Sequence, residues 1–279
     1  MTTTHVPTTE QIREAWNRLA TGFDQFVTPE TTTLAQETLR HVDLRPGRRL
    51  LDVGAGSGAL SIPAARSGAQ VVATDLAPTM IERLNERARS EGLVNFEGRA
   101  MDGQALELDD DTFDVAVSVN GVSLFPDLAR GLAELVRVTR AGGRVVVVAF
   151  GPPQKVEFIA FVMGAIKATV PGFAALPTDP PPLPFQVADP DVLRARLSEA
   201  GLRGVEVRPL TWDMPIDSAD HLWNVFTHSN PLGAQLVADL PEEVRTEVKQ
   251  VLRGMLRERS GGAPAAVLHA ELNLGIGTV

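Results

Sequence analysis

Residues 50–60 read Leu50-Leu51-Asp52-Val53-Gly54-Ala55-Gly56-Ser57-Gly58-Ala59-Leu60. Leu50, Leu51 and Val53 form a short apolar run, the pattern of a buried strand. Gly54, Gly56 and Gly58 let the backbone turn sharply and let another molecule approach it closely. Ala59 to Ala65 then open a helix. Strand, glycine turn and helix make the first unit of a doubly wound sheet, whose ligands sit at the carboxyl ends of the strands.

Nicotinamide and flavin enzymes use a similar turn, so the loop alone does not name the ligand. Two details separate the readings. A dinucleotide fingerprint spaces its glycines G-x-G-x-x-G, whereas here the spacing is G-x-G-x-G. Asp52 places a carboxylate at the mouth of the loop, where it repels a pyrophosphate and tolerates a cationic amine or sulfonium. A dinucleotide-dependent oxidoreductase and a glycine turn without a ligand are the competing readings.

Composition narrows the classes. A chain of 279 residues, 44% hydrophobic, can bury one large core with a cap. No apolar run reaches the ~18 residues of a membrane span. The start, MTTTHVPTTEQ, has neither a basic nor an apolar leader region, and the expected location is cytoplasmic. With no cysteine in the chain there are no disulfides, thiolate metal sites or thiol nucleophiles. Net charge is -9, from 26 Lys+Arg against 35 Asp+Glu, with no basic run to neutralise nucleic-acid phosphates. A small-molecule partner is expected; the oligomeric state stays open.

Along the chain, Thr8 and Gln11 stand at capping-box spacing ahead of a helix to Ala20 whose Ile12, Ala15, Trp16 and Leu19 share a face. That helix either folds over the ligand site or packs on the sheet. Glu30 to His41 is a second helix, ending before Pro46-Gly47. Strand and helix then alternate, which predicts a parallel sheet. The strands are Arg49–Val53, Gln70–Thr74, Val94–Glu97, Phe113–Val119 and Arg144–Phe150. The helices are Gly58–Ser67, with Pro63 tolerable near its first turn, then Pro78–Glu91 and Leu128–Thr139. Ala141-Gly142-Gly143 reads as a turn.

After Gly151, Val156–Val170 is apolar nearly all round, a helix buried between a cap and the core. Pro171–Pro190 holds seven prolines and reads as a loop ordered by contact or mobile, becoming more ordered when ligands bind. Asp189 and Pro190 open a helix that Gly201 closes. Leu202–Leu210 is a strand, Asp217–Arg259 a second helical insertion, and Ala266–Ile276 an alternating last strand, antiparallel with one wetter side. The expected fold is therefore a Rossmann-like doubly wound, seven-stranded, mostly parallel α/β sheet with a helical cap. Its parts are 1–45 (helices, a lid), 46–150 (ligand-binding core), 151–188 (cap) and 189–279 (end of the sheet, with insertion 217–259).

Three carboxylate positions carry chemistry. Asp75, about 20 residues past the loop at the end of strand two, can accept from two ribose hydroxyls, and can also cap the helix near Pro78. Asp102, between Met101 and Gly103 after strand three, can accept from an adenine amine while Met101 lies on the ring; a surface turn is the alternative. Asp109-Asp110-Asp111 with Asp114 lacks a histidine or any supporting shell and reads as a solvated turn, so no metal is expected.

Residues 47–150 resemble the class I S-adenosylmethionine-dependent methyltransferases, and specifically the branch of the ubiquinone and menaquinone biosynthesis C-methyltransferases. The resemblance rests on LLDVGAGSGAL, ATDLAPTMIERLNERA, EGRAMDGQALELDDDTFDVAVSVNGVSLFPD and GGRVVVVAF, in order. It implies S-adenosylmethionine as cofactor, with Asp52, Gly54, Gly56 and Gly58 around the methionine moiety and ribose. It further implies Asp75 on the ribose, Leu76 and Met80 bordering the adenine, and Met101 and Asp102 binding that ring. Asn120, Gly121 and Val122 line the site beside the donor methyl. Beyond residue 150 the resemblance thins, so acceptor choice is not inherited from it.

Methyl transfer by in-line displacement needs position and dryness more than a base. Where a base is used, His221 and His228, seven residues apart on one helix face, are the catalytic candidates; the alternative is ordinary cap histidines. Phe158, Phe161, Trp212, Trp223 and Phe226 supply aromatic area for a small apolar or aromatic acceptor. The cysteine-free composition excludes arsenic methyltransferases. Asn120-Gly121, standing where a first metal carboxylate belongs, disfavour a metal-dependent catechol enzyme. A protein that binds the donor without catalysis remains an alternative.

Overall fold

The computed structural model describes residues 8–173 and 180–279. The chain begins with two helices, α1 (Thr9–Gly22) and α2 (Thr28–Arg40), joined by a single π-helical turn over Phe23–Val27. The capping box forms as the spacing predicts: the Gln11 N–H donates to Thr8 Oγ1 at 3.2 Å, and the Thr8 N–H donates to Gln11 Oε1 at 2.9 Å. The alternating core then runs β1 (Arg49–Val53), α3 (Ser61–Arg66), β2 (Gln70–Asp75), α4 (Pro78–Ser90), β3 (Phe96–Ala100), β4 (Phe113–Val119), α5 (Leu128–Val138) and β5 (Thr139–Phe150). The remainder is α6 (Glu157–Thr169), α7 (Pro190–Glu199), β6 (Arg203–Ile216), α8 (Ala219–Ser229), α9 (Pro231–Ala238), α10 (Glu242–Ser260) and β7 (Ala266–Thr278).

All seven strands form one sheet in the order β3-β2-β1-β4-β5-β7-β6. Only β7 runs against its neighbours, pairing antiparallel with both β5 and β6. The chain moves outward from β1 through β2 to β3, then returns to place β4 on the other side of β1. That reversal opens a crevice at the carboxyl ends of β1 and β4. The centre of the sheet is buried on both faces: Val145 to Val148 are all 0% exposed, which is why that strand reads as a continuous apolar run. The cap helices stack on one another, α10 against α6 and α8.

Several boundaries differ from the sequence reading. β3 begins at Phe96, because its register with β2 pairs Val71 with Phe96 and Asp75 with Ala100; Val94 stays 99% exposed. Helix α3 starts only at Ser61, since the glycine loop continues through Gly58 (φ +100°), and Pro63 thereby falls in its first turn. Ala141-Gly142-Gly143 is an irregularity inside β5, where pairing jumps from Phe113–Thr139 to Val115–Arg144. β6 runs past Leu210 to Ile216, burying Trp212, Met214 and Ile216 on one face. Its Pro209 and Pro215 are tolerated because β6 is an edge strand. Part of the proline-rich loop, residues 174–179, lies outside the described residues.

Candidate functional site

A cleft opens where β1, β2, β3 and β4 end, and the glycine loop forms its floor. Gly54 and Gly56 are left-handed, at φ +72° and +54°, a conformation a Cβ would strain. The loop is also crowded: a Cβ on Gly54 would lie 2.8 Å from the Gly121 Cα, and one on Gly56 would lie 2.9 Å from the Phe23 ring. Bare backbone is therefore what the cleft presents at this point.

Asp75 ties the loop to β2. The Gly56 N–H donates to Asp75 Oδ2 and the Ala77 N–H to Oδ1, both at 2.9 Å. Burial raises the Asp75 carboxyl above its ordinary value, and these backbone donors oppose that rise. Asp52 is deeper, 2% exposed, and accepts a short hydrogen bond from the Ser61 hydroxyl. Burial, reinforced by the charge of Asp75 and opposed by Ser61, pushes it up to about 7. Two carboxylates thus share one wall of the cleft.

On the β3 side, the Met101 N–H donates to the Asp75 carbonyl at 2.9 Å, and Asp102 Oδ1 accepts from the Gln104 N–H at 2.9 Å and its amide at 3.1 Å. Beyond β4, Asn120 holds a left-handed φ of +51°, its N–H bonded to the Val148 carbonyl at 2.8 Å. The Asn120 Oδ1 and the Thr74 Oγ1 are buried without a partner, and both residues line the cleft. Such atoms fit a ligand that donates hydrogen bonds.

The structure brings Asp52, Gly54, Gly56, Asp75, Leu76, Met80, Met101, Asp102, Asn120 and Gly121 together around this cleft, and places Gly58 and Val122 outside its lining. A Cβ at Gly58 would meet Leu84 at 2.1 Å, so that glycine serves helix packing. Neither histidine lines the cleft. His221 Nε2 lies 3.4 Å from Glu30 Oε1, its Nδ1 accepts from the Asp217 N–H at 3.2 Å, and the Glu30 hydrogen bond raises its pKa. His228 Nδ1 bonds the Asn224 carbonyl at 2.8 Å, and its ring sits against Phe26 and Gly22. Among the described residues, no group of His, Asp or Glu is arranged to hold a metal, and Asp110 of the acidic run pairs with Arg137.

Sequence reasoning named Phe158 and Trp212 as aromatic area for an acceptor but not Phe150, Phe23 or Asn230, which complete the cleft's other half. Phe150, Phe158 and Trp212 form an aromatic wall, with ring centroids 6.0 Å apart for the first pair and 6.2 Å for the second. Trp16 and Phe23 close the cleft from the N-terminal helices, while Val225, Ser229 and Asn230 reach it from α8 and its end. The π-helical turn is what points Phe23 at the glycine loop, and no local propensity announces such a turn.

The methyltransferase-domain family matches residues 51–147. Uncharacterised proteins of Mycobacterium tuberculosis are 45% identical over 105 residues, and the match spans 38% of this chain and 38% of theirs. Nocamycin O-methyltransferase of Saccharothrix syringae is 32% identical over 265 residues, covering 88% of this chain and 91% of its own. Demethylmenaquinone methyltransferase of Thermus thermophilus is 33% identical over 179 residues, 58% of this chain and 79% of that one. The YcgJ protein of Bacillus subtilis has the same fold, with a TM-score of 0.56 at 18% identity, covering 88% of this chain and 98% of its own. The long match to nocamycin O-methyltransferase displaces the dinucleotide oxidoreductase reading, and this chain belongs to the class I S-adenosylmethionine-dependent methyltransferases.

Proposed function

We propose that the chain transfers the methyl group of S-adenosylmethionine to an oxygen, nitrogen or carbon of a small, largely apolar or aromatic acceptor. The observation that carries this is the joining of two unlike half-clefts, one lined by Asp52, Asp75 and Asp102, the other by Phe150, Phe158 and Trp212.

In this reading Asp75 holds the ribose: each of its oxygens accepts one backbone N–H and keeps a lone pair for a hydroxyl. Met101 and Asp102 bind the adenine, bordered by Leu76 and Met80. Asp52, Gly54 and Gly56 surround the methionine end, supported from behind by Gly58, while Asn120 and Gly121, backed by Val122, lie beside the reacting methyl. The donor supplies an electrophilic methyl on a positively charged sulfur. The chain's part is to hold the acceptor about 3 Å from it in line and to exclude water. The described part of segment 1–45, α1 and α2 with the turn between them, acts as the lid that does the excluding; residues 1–7 lie outside the described residues. Segments 151–188 and 217–259 form the cap that selects the acceptor. A net charge of -9 favours a small molecule over nucleic acid, and a cytoplasmic location belongs to the same proposal.

Calorimetry with S-adenosylmethionine and with S-adenosylhomocysteine tests the donor site, and both are expected to bind in the micromolar range. Absence of binding at high micromolar concentration ends the proposal. Binding with no turnover across a broad acceptor screen would leave a donor-binding protein without catalysis.

A further inference from the structure

The two halves of the cleft are tied together by one short piece of chain, the π-helical turn and the start of α2. At its donor end the Phe23 ring lies over the glycine loop, where a Cβ on Gly56 would come within 2.9 Å of it. Thr28, which opens α2, and Ser57 of the loop are both buried, and their hydroxyl oxygens are 2.5 Å apart. Thr28 Oγ1 also donates to the Phe23 carbonyl at 3.3 Å. A hydroxyl has a single proton to give, so Ser57 donates to Thr28 and Thr28 donates to Phe23. One side chain thereby fastens the turn and the loop to each other.

Two residues further on, the same chain reaches the acceptor half. The Glu30 carbonyl accepts the Trp212 indole N–H at 3.0 Å, and Trp212 stands in the aromatic wall with its ring edge-on to Phe158. Glu30 is also held from the side. Its carboxylate lies 3.4 Å from His221 Nε2, and His221 Nδ1 accepts the Asp217 N–H at 3.2 Å.

The links run without a break from one half to the other. Asp75 Oδ2 accepts the Gly56 N–H, Ser57 follows Gly56 in the chain, and Ser57 meets Thr28. The first turn of α2 carries Thr28 to Glu30, and Glu30 meets Trp212. Coupling between sites is carried by such hydrogen bonds and rigid elements in contact. A buried hydrogen bond is costly to leave unmade, so the loop does not shift at Ser57 without drawing Thr28 after it.

We propose that Thr28 is a positioning residue that passes occupancy of the donor half to the acceptor wall, an inference that rests on the methyl transfer proposed above. A donor seated on Asp75 and the glycine loop fixes Thr28, and the start of α2 then fixes the Trp212 ring against which the acceptor lies. The donor therefore strengthens acceptor binding, and by linkage the acceptor strengthens donor binding to the same degree.

The test uses the full chain labelled with 5-fluorotryptophan and takes S-adenosylhomocysteine as the probe. The chain has three tryptophans, and Trp16→Phe and Trp223→Phe assign their fluorine resonances. Saturation with the probe is expected to shift the Trp212 resonance. In Thr28→Val, nearly the same shape without the hydroxyl, that shift is expected to vanish, while affinity for the probe falls by no more than about tenfold, the worth of one hydrogen bond. Thr28→Ser, which keeps the hydroxyl, is expected to restore it. A ring shifted only by touching the probe would respond alike in all three proteins. Ser57→Ala removes the same hydrogen bond from the loop side, is expected to lose the shift as well, and decides the matter if Thr28→Val does not fold. A Trp212 resonance that stays still when the unaltered chain binds the probe overturns the inference. So does a shift retained in Thr28→Val or Ser57→Ala, or one that Thr28→Ser fails to restore. Failure of the unaltered chain to bind S-adenosylhomocysteine defeats the methyl transfer reading itself, and this inference with it.

Discussion

The Asp75 carboxylate and the Gly56 N–H are 2.9 Å apart, a hydrogen bond that joins the end of β2 to the floor of the cleft across nineteen residues of sequence. Asp75 therefore has two jobs, shaping the glycine loop and accepting the ribose. Asp75→Ala is expected to weaken S-adenosylhomocysteine binding by about 1–3 kcal/mol, the range for a hydrogen-bonding charged partner lost from a site. Calorimetry measures it, and an unchanged affinity removes Asp75 from the ribose.

Asp52 makes donor binding depend on pH. Its carboxyl is pushed up to about 7 from the ordinary 3.8, so near neutrality the free protein is a mixture of protonated and ionised forms. A cationic sulfonium favours the ionised form, and the affinity for S-adenosylmethionine relative to the neutral-sulfur product should rise from pH 6 to pH 8. Stability runs the other way. The folded state holds the proton that the unfolded chain releases near its lower value, so folding weakens as pH climbs from about 4 to about 7. Asp52→Asn is expected to flatten both trends, as titration calorimetry and thermal melts over that range will register.

Gly121 sits where a side chain cannot. A Cβ there would be 2.7 Å from the Val53 carbonyl oxygen and 2.7 Å from Ser118 Oγ, which itself donates to that carbonyl. Gly121→Ala must push β1 and β4 apart at their ends, and is expected to cost about 1–3 kcal/mol of stability. Chemical denaturation is the check, and a neutral result would mean that the strand ends give way freely.

The N-terminal helices are latched to α4. Asp24 pairs with Arg87 at 2.6 Å and with Arg83 at 3.5 Å, and Arg87 also donates to the Ser57 carbonyl at 2.6 Å. Asp24→Ala is expected to loosen α1 and the π-helical turn, visible as faster amide exchange over residues 9–27, with weaker donor binding. Exchange unchanged in that segment would show that apolar contacts such as Phe23 against Gly56 suffice.

The donor half was legible because its residues lie within short stretches whose geometry is local. A glycine turn after a strand, a carboxylate at a strand end and a capping box each follow from a few neighbouring residues. The acceptor half was legible only in part: Phe158 and Trp212 stood out as aromatic area, but their meeting with Phe150 and Asn230 depends on tertiary packing of segments far apart in sequence. His221 and His228 do sit on one helix, as their spacing said, but spacing cannot tell which way that face points. Here it points at Glu30 and Phe26. Asn120 was placed beside the donor methyl by resemblance; that its amide oxygen lacks a partner is visible only in three dimensions.

The reversed strand β7 lies between β5 and β6, so an element synthesised later is the one that seats an earlier strand. Until residues 266–278 are synthesised, β6 has no partner in the sheet. A nonsense mutation ahead of Ala266 would therefore do more than remove β7: it would leave Trp212, Met214 and Ile216 on an orphaned ribbon, a ready substrate for quality-control proteases.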